Sequence, residues 1–214
     1  HHVFTGGHAE LSRLLGSRSD VWVQDPASSA AVGSLAGLKP SLIMDLCAGR
    51  GTKTRQLRAA FPDAMIVATD IDPSRRAALK DVFKGDDRVR TPHPSKLDEW
   101  NGAADLILLD VPCSNTGVLA RRVEARYRVN DESVRSLVGV QRQIMADAMR
   151  LHRPGGSILY STCSLDPREN EENVRWIGQW HSLEPVWSKV TLPEGGPGEP
   201  AERYSDVSFA ALVA

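Results

Sequence analysis

The sequence contains little cysteine, and its cysteines are not spaced for a metal site or a disulfide framework. Only three occur among 214 residues, Cys47, Cys113 and Cys163. No CxxC pair and no Cys/His ligand spacing connects them, and an odd, sparse set argues against disulfides. The sequence therefore predicts reduced thiols and no metal.

Long hydrophobic runs are also missing. No apolar run approaches the roughly 18 residues that span a bilayer, and no apolar signal core follows the N-terminus. With 41% hydrophobic and 25% charged residues, the chain can bury a substantial core. These features predict a soluble, cytoplasmic protein without a membrane partner. The chain begins at His1 rather than Met, which leaves open whether it is processed, tagged or a fragment.

The sequence lacks the excess of positive charge that is typical of nucleic-acid binders. Its formal net charge is -1, which counts against a nucleic-acid substrate. One local cluster offsets this: Arg121, Arg122, Arg126 and Arg128 fall within eight residues. The cluster has two interpretations, a phosphate-binding surface or a solvated helix or loop face.

From Pro40 onward, short apolar runs alternate with helical patterns. Such runs, too short for helices and without polar alternation, predict buried strands at Leu42–Leu46, Met65–Ala68, Leu106–Leu109 and Ser157–Tyr160. Apolar spacing of three and four predicts helices at Lys53–Ala60, Pro73–Phe83, Asp131–Leu151 and Arg168–Trp180. The alternation indicates an α/β fold, a mostly parallel sheet with helices on both faces. A ligand should then bind at the carboxyl ends of the strands.

One domain over residues 1–214 accounts for the whole pattern. Residues 1–39 form a lead-in, residues 40–180 a regular core, and residues 181–214 a tail. Within the tail, Pro193–Pro200 is rich in Pro, Gly and Glu and predicts a mobile loop, and Ser208–Val213 predicts a last edge strand.

The segment Asp45–Thr54 (DLCAGRGTKT) follows the first strand and opens the first helix. A phosphate-binding P-loop is excluded because Thr52 replaces the glycine before its lysine, and GxGxxG is absent as well. The D-x-C-A-G-x-G pattern instead resembles the first motif of S-adenosylmethionine methyltransferases, whose backbone wraps the methionine part. Asp70 ends the second strand, where a carboxylate can accept both ribose hydroxyls. The alternative role, a helix N-cap, suits Asp72 better.

Two further cysteine segments follow neighbouring strands. Asp110–Gly117 (DVPCSNTG) follows the fourth strand and Tyr160–Ser164 (YSTCS) the fifth, so their thiols would flank one pocket. Carbon 5 of cytosine is too weak a nucleophile to take a methyl group directly. A thiolate that adds to carbon 6 activates it, provided that the base is unstacked.

These segments together resemble the signature blocks of the Sun (Fmu/RsmB) family of RNA cytosine-5 methyltransferases. The resemblance rests on the loop at 45–54, on DVPCSNTGVLARR at 110–122, on YSTCSLDPRENEENV at 160–174 and on QDPAS at 24–28. It covers roughly residues 20–180 in the family's order. It implies a Rossmann-like fold, S-adenosylmethionine as cofactor and RNA as partner, with ribosomal RNA favoured over transfer RNA.

The resemblance also implies roles for single residues. Cys163 attacks carbon 6, Cys113 helps to resolve the covalent product, and Asp110 hydrogen-bonds the polar edge of the cytosine. Lys53 lies between the methionine end of the cofactor and Asp110. Arg75 corresponds to an arginine that commonly follows the ribose carboxylate, although a solvent-facing helix position is an equal interpretation. The implied cofactor contacts are Asp45, Cys47, Ala48, Gly49, Arg50, Gly51, Thr52, Lys53, Asp70 and Asp110.

The chain departs from the family pattern in four places. The family loop usually ends PGGKT, whereas this chain has RGTKT at 50–54, which puts cofactor affinity in doubt. The acid that normally approaches the adenine amine is missing from Arg90–Lys96, where His93 is the candidate substitute. Asp206–Phe209 only loosely matches the family's Gly-Phe-Phe. The family's N-terminal RNA-binding module has no room, so the chain is expected to be the catalytic domain alone.

Three other functions compete. A DNA cytosine-5 methyltransferase would use Cys113 as nucleophile, which the Thr-Cys-Ser at Cys163 argues against. A non-catalytic RNA- or cofactor-binding assembly factor would be consistent with the altered loop. A small-molecule methyltransferase would have no need for two strand-end thiols.

Overall fold

The computed structural model describes residues 4–18, 20–196, 198–200 and 203–214, and one sheet runs through its centre. The strands are β1 (Leu42–Asp45), β2 (Met65–Ala68), β3 (Val89–Arg90), β4 (Ala104–Asp110), β5 (His152–Thr162), β6 (Pro185–Thr191) and β7 (Ser208–Val213). Their order is β3-β2-β1-β4-β5-β7-β6. The first five pair in parallel, and β7 runs antiparallel to both β5 and β6. The predicted mostly parallel sheet is confirmed.

Helices cover both faces of this sheet. They are α2 (Pro26–Gly33), α3 (Thr52–Ala60), α4 (Pro73–Val82), α5 (Asp131–Met149) and α6 (Glu171–His181), whereas α1 (His8–Ser17) has no buried residue. Met145 of α5 and Val174 of α6 belong to one apolar cluster. Val32, Leu57 and Leu79, from α2, α3 and α4, belong to the other. Helix α2, which lies within the predicted lead-in, therefore contributes to the core.

The structure confirms the predicted start of one helix and shifts that of another. The Asp72 carboxylate accepts the backbone N–H of Arg75 at 2.8 Å and precedes Pro73, which confirms Asp72 as the N-cap of α4. Helix α6 begins at Glu171, not at the predicted Arg168. The Asp166 carboxylate accepts the N–H of Arg168 at 2.9 Å, and the residues between form a turn instead.

The predicted edge strand at Ser208–Val213 exists, but its predicted position is wrong. It lies between β5 and β6, and every one of its residues is buried. The edge of the sheet is β6, which the sequence analysis missed because most of its side chains are exposed. Glu194 of the predicted Pro193–Pro200 loop pairs with Ser205 in an isolated bridge, and position 197 lies outside the described residues. None of the described helices has the length and apolar character that crossing a bilayer requires.

Candidate active site

A cavity of about 1300 Å³ opens at the carboxyl ends of the parallel strands. This is the position that the topology predicts for a ligand. Its walls come from the β1–α3 loop, the end of β2 and the segments after β4 and β5. They include Cys47, Ala48, Gly49, Arg50, Thr52, Lys53, Asp70, Arg75, Asp110, Cys113 and Cys163. The structure therefore brings most of the predicted site residues to one cavity.

The loop between β1 and α3 depends on its two glycines. Gly49 has a φ of 58° and Gly51 a φ of 91°, in the left-handed region that favours glycine. A Cβ atom on Gly51 would lie 2.9 Å from the Phe83 ring. The N–H of Ala48 donates to the carbonyl of Thr69 at 3.0 Å, which joins the loop to the end of β2. The sequence thus fixes a tight turn that presents its backbone to the cavity.

Asp70 holds the same loop from the end of β2. Its carboxylate accepts the N–H of Gly49 at 2.9 Å through Oδ2 and the N–H of Asp72 at 2.9 Å through Oδ1. A guanidinium nitrogen of Arg75 lies 3.8 Å from Oδ2. A carboxylate has about two acceptor sites on each oxygen, so Asp70 keeps one on each for a diol in the cavity.

Asp45 is placed differently from the other predicted cofactor residues. Its side chain is fully buried, and Oδ2 accepts the hydroxyl of Thr54 at 2.7 Å. Oδ1 has no hydrogen-bond partner among the described residues. Burial raises the pKa of Asp45 to about 7. Asp45 thus supports the loop from within, and its direct contact with a cofactor stays a prediction.

Asp110 and Lys53 form an ion pair at the centre of the cavity. Lys53 Nζ lies 2.8 Å from Asp110 Oδ2 and donates to the Ser28 hydroxyl at 3.1 Å. The Ser161 hydroxyl donates to Asp110 Oδ1 at 2.7 Å. Because Ser28 belongs to the QDPAS segment, that segment holds the lysine that orients the carboxylate.

The two cysteines after β4 and β5 meet. Asp110 and Ser161 are register partners, so the segments beyond them lie side by side. The Sγ atoms of Cys113 and Cys163 are 3.3 Å apart. Cys163 Sγ also lies 3.2 Å from Oδ1 of Asn115. Both cysteines are free and both line the cavity.

The contact between Cys113 and Cys163 shifts the pKa values of their thiols in opposite directions. The hydrogen bond between Cys113 and Cys163 lowers the pKa of Cys163, against the opposing effect of burial. The same bond, together with burial, raises the pKa of Cys113 well above its usual range. Cys163 is therefore the stronger candidate for a thiolate nucleophile, since the thiolate is the reactive form. Cys47, in contrast, has a pKa raised by burial and by the nearby Asp45 carboxylate.

Part of the cavity wall next to Asp70 is apolar. Ile71, Pro94 and Leu97 line it, and Ile71 is 87% exposed. His93, the candidate substitute for the missing acid, accepts the N–H of Ser95 at 3.2 Å and caps a 3₁₀ helix, Pro94–Trp100, and its role towards adenine stays a prediction. The sequence analysis missed Ile71, although an apolar residue directly after Asp70 was a readable signal.

The arginines of the cluster at 121–128 have different environments in the structure. Arg121 pairs with the buried Asp206, and its guanidinium lies 4.0 Å from Asp25. Arg126 is exposed, with its guanidinium 5.7 Å from the centre of the Tyr127 ring. Arg121 therefore joins three segments of the fold, and Arg126 remains on the surface.

No group of three or more His, Cys, Asp or Glu side chains within the described ranges is arranged to hold a metal ion. The charged and nucleophilic groups that line the cavity are its thiols, its carboxylates, the Lys53 ammonium and several guanidinium groups. This set suits nucleophilic chemistry on a polar ligand.

Comparison with known proteins identifies the family. A family model described as 16S rRNA methyltransferase RsmB/F matches residues 34–194, more than half of the chain. The chain is 36% identical to ribosomal RNA small subunit methyltransferase B of Cronobacter sakazakii over 72% of its own length and 37% of that protein. The enzyme of the same name from Xanthomonas campestris is 31% identical over 95% of the chain and 49% of its own length. The chain thus spans half or less of these relatives.

A solved structure supports the fold independently. NSun6 from Pyrococcus horikoshii, determined with SFG, superposes with a TM-score of 0.72 and 24% identity. The match covers 90% of this chain and 52% of that one. At this identity the likeness concerns the fold, and it agrees with the Rossmann-like α/β sheet described above. By sequence blocks, fold and site, the chain belongs to the 16S rRNA methyltransferase RsmB/F family.

Proposed function

We propose that this chain transfers a methyl group from S-adenosylmethionine to carbon 5 of a cytosine in RNA. The observation that carries the proposal is the pair of thiols 3.3 Å apart, in the same cavity as the Lys53–Asp110 pair. Two matched relatives are named as ribosomal RNA small subunit methyltransferases, which supports ribosomal RNA as the substrate and the cytoplasm as the location.

The residues present fit the proposed cofactor. Asp70 keeps free acceptor sites for the ribose hydroxyls, and the β1–α3 loop presents its backbone beside them. Ile71 and Leu97 provide apolar surface for the adenine ring. When bound, S-adenosylmethionine supplies an electrophilic methyl group.

Cys163 performs the proposed nucleophilic step. Its thiolate forms a bond to carbon 6, and the electron pair of the carbon 5–carbon 6 double bond becomes available at carbon 5. Asp110 accepts a hydrogen bond from the exocyclic amine of cytosine, a donor on that base. Lys53 and Ser161 hold the Asp110 carboxylate in place.

Cys113 acts in the proposed release of product. After methylation, carbon 5 gives its proton to solvent water, the electrons of that carbon–hydrogen bond re-form the double bond, and the sulfur–carbon 6 bond breaks with its electron pair on sulfur. Cys163 then leaves as a thiolate, which the Cys113 thiol stabilises by hydrogen bonding across 3.3 Å. Without Cys113, the covalent adduct should persist.

The test is transfer of a labelled methyl group from S-adenosylmethionine to small-subunit ribosomal RNA from cells that lack the modification. The parent chain should form labelled 5-methylcytosine, Cys163→Ala should form none, and Cys113→Ala should trap a protein–RNA adduct. Activity that survives loss of Cys163 but not of Cys113 would favour the DNA-type mechanism. Failure of every form to transfer, with cofactor still bound, would favour a binding module.

A further inference from the structure

One buried carboxylate bonds to the residues that follow both cysteines. Glu169 has no exposed surface. Its Oε2 accepts the hydroxyls of Ser114 and Ser164, each at 2.5 Å. Its Oε1 accepts the N–H of Ser114 and the side-chain amide of Gln141, each at 2.9 Å. The Cys113 and Cys163 segments therefore share one anchor.

The anchor also extends to the residue before Cys113. The Gln141 amide, bonded to Glu169, donates to the carbonyl of Pro112 at 2.9 Å. The main chain on both sides of Cys113 is thereby tied to the buried cluster. Gln141 itself has no exposed surface, so the link lies within the packed interior.

These contacts use all the acceptor sites of Glu169. Four donors fill the roughly four lone-pair positions of a carboxylate, which leaves none for a ligand. Burying a carboxylate is costly unless it is fully hydrogen-bonded, so the four bonds also explain how Glu169 is tolerated. Glu169 can act on the reaction only through the loops that it holds.

We propose that Glu169 is a positioning residue that holds the two thiols at their 3.3 Å separation. The proposal deepens the proposed function and rests on it for its effect on catalysis. If the loops separate, the hydrogen bond between Cys113 and Cys163 is lost. Cys163 then loses what makes it the more reactive thiol.

Two substitutions of Glu169 distinguish the effect of its hydrogen bonds from the effect of its charge. In Glu169→Gln, the amide oxygen can face the two fixed donors, the Ser114 N–H and the Gln141 amide. Its NH₂ group then faces the Ser114 and Ser164 hydroxyls, which rotate to accept instead of donate. Glu169→Gln therefore keeps all four links without the charge, and Glu169→Ala removes them. Glu172→Ala is the matched control, a half-buried glutamate whose carboxylate makes none of these bonds.

The experiment measures the rate of Cys163 alkylation by iodoacetamide against pH, read by mass spectrometry of the peptide that contains it. It needs neither RNA nor cofactor, so its failure is distinguishable from failure of the proposed function. Glu169→Ala should raise the midpoint by about one pH unit, the size expected for loss of a hydrogen bond to a charged group. Glu169→Gln and Glu172→Ala should match the parent chain.

A double-mutant cycle tests whether Glu169 acts through Cys113. Cys113→Ala should raise the midpoint as Glu169→Ala does, and the double variant should shift no further. In the methyl-transfer assay, Glu169→Ala should lower kcat about 100-fold with KM for S-adenosylmethionine unchanged, and Glu169→Gln should restore kcat.

An unchanged midpoint in folded Glu169→Ala, or additive shifts in the double variant, would overturn the proposal. Far-UV circular dichroism establishes folding. If Glu169→Ala does not fold, Ser164→Ala cuts one of the same links and should raise the midpoint in the same direction. An unchanged midpoint in folded Ser164→Ala would equally overturn the proposal.

Discussion

The carboxylates that end β1 and β4 have opposite environments. Asp45 is fully buried with one hydroxyl donor, whereas the Asp110 side chain is 34% exposed and paired with Lys53. Burial raises the pKa of Asp45 to about 7. The difference makes Asp45 a source of pH-dependent stability.

We expect Asp45 to destabilise the fold as pH rises. An unfolded Asp has a pKa of about 3.9, so between about pH 4 and 7 the folded chain holds a proton that the unfolded chain has lost. Stability should fall through this window by on the order of 2–4 kcal/mol. Asp45→Asn, a neutral mimic, should remove that part of the decline in urea unfolding. The control Asp87→Asn changes an exposed carboxylate, and parallel curves for the parent and Asp45→Asn would contradict the prediction.

Gly117 allows two segments of the site to approach closely. Its N–H donates to the Cys163 carbonyl at 3.0 Å, and its carbonyl accepts the N–H of Val207 at 3.1 Å. A Cβ atom there would lie 2.5 Å from Val207 Cβ and 2.8 Å from the Cys163 carbonyl oxygen. Gly117→Ala should therefore force the segments apart.

The expected loss is about 1–3 kcal/mol of unfolding free energy, the usual range for overpacking, measured by urea unfolding. Gly139→Ala is the matched control, because its Cβ would meet nothing within 4 Å inside α5. It should stabilise the chain by about 0.5–1 kcal/mol. Equal effects of the two substitutions would show that close approach at Gly117 is unimportant.

Single residues differ in how far the sequence predicts them. The meeting of Cys113 and Cys163 follows from two strand ends that are neighbours in a parallel sheet. Glu169 stands within a recognised block, but its role depends on donors from three separate segments. The burial of Asp45 likewise depends on what packs around it, which no local pattern reveals.

The strands also differ in how far the sequence predicts them. The central strands were predictable because they are continuous apolar runs, and each predicted run overlaps an observed strand. Strand β6 was missed because its side chains are mostly exposed, so no apolar run or regular alternation marks it. Its pairing with the fully buried β7 makes it the edge of the sheet.

The segment after β4 is joined to the chain's other parts through Arg121. Its partner Asp206 is 3% exposed, so removing the arginine leaves a buried carboxylate with less compensation. Arg121→Ala should lower unfolding free energy by about 1–3 kcal/mol, less than for a fully buried pair because the arginine is half exposed. Thermal unfolding measures the change.

Arg126→Ala, in contrast to Arg121→Ala, should affect RNA binding and not stability. Arg126 is exposed, so its loss should leave the melting temperature unchanged, weaken RNA binding and reduce the salt slope by about 1. Filter binding over a series of salt concentrations measures both values. If Arg121→Ala weakened RNA binding as Arg126→Ala does, without loss of stability, Arg121 would be a phosphate contact instead.

At the scale of the whole molecule, the net charge bears on the proposed binding of RNA, and the architecture of the sheet bears on the proposed binding of the cofactor. A net charge of -1 provides no general attraction to RNA, so the proposed RNA binding by this chain depends on local basic patches such as the one around Arg126. The cavity proposed for the cofactor, in contrast, is lined by the segments that follow β1, β2, β4 and β5, together with residues of α2, α5 and the start of β7. Cofactor binding should therefore stabilise the fold as a unit, without RNA.

Binding of S-adenosylhomocysteine tests whether a ligand in the cofactor site stabilises the fold. At 100 times its dissociation constant, a ligand specific to the folded state adds about 2.7 kcal/mol, or about 5–10 °C in melting temperature for a chain of this size. Asp70→Ala removes the proposed ribose acceptor and should abolish the shift, measured against its own unliganded melting temperature. Asp87→Ala, an exposed carboxylate, should keep it. A parent chain that does not shift at any ligand concentration would mean that Arg50 and Thr52, where the chain departs from the family's usual loop, have cost it the cofactor.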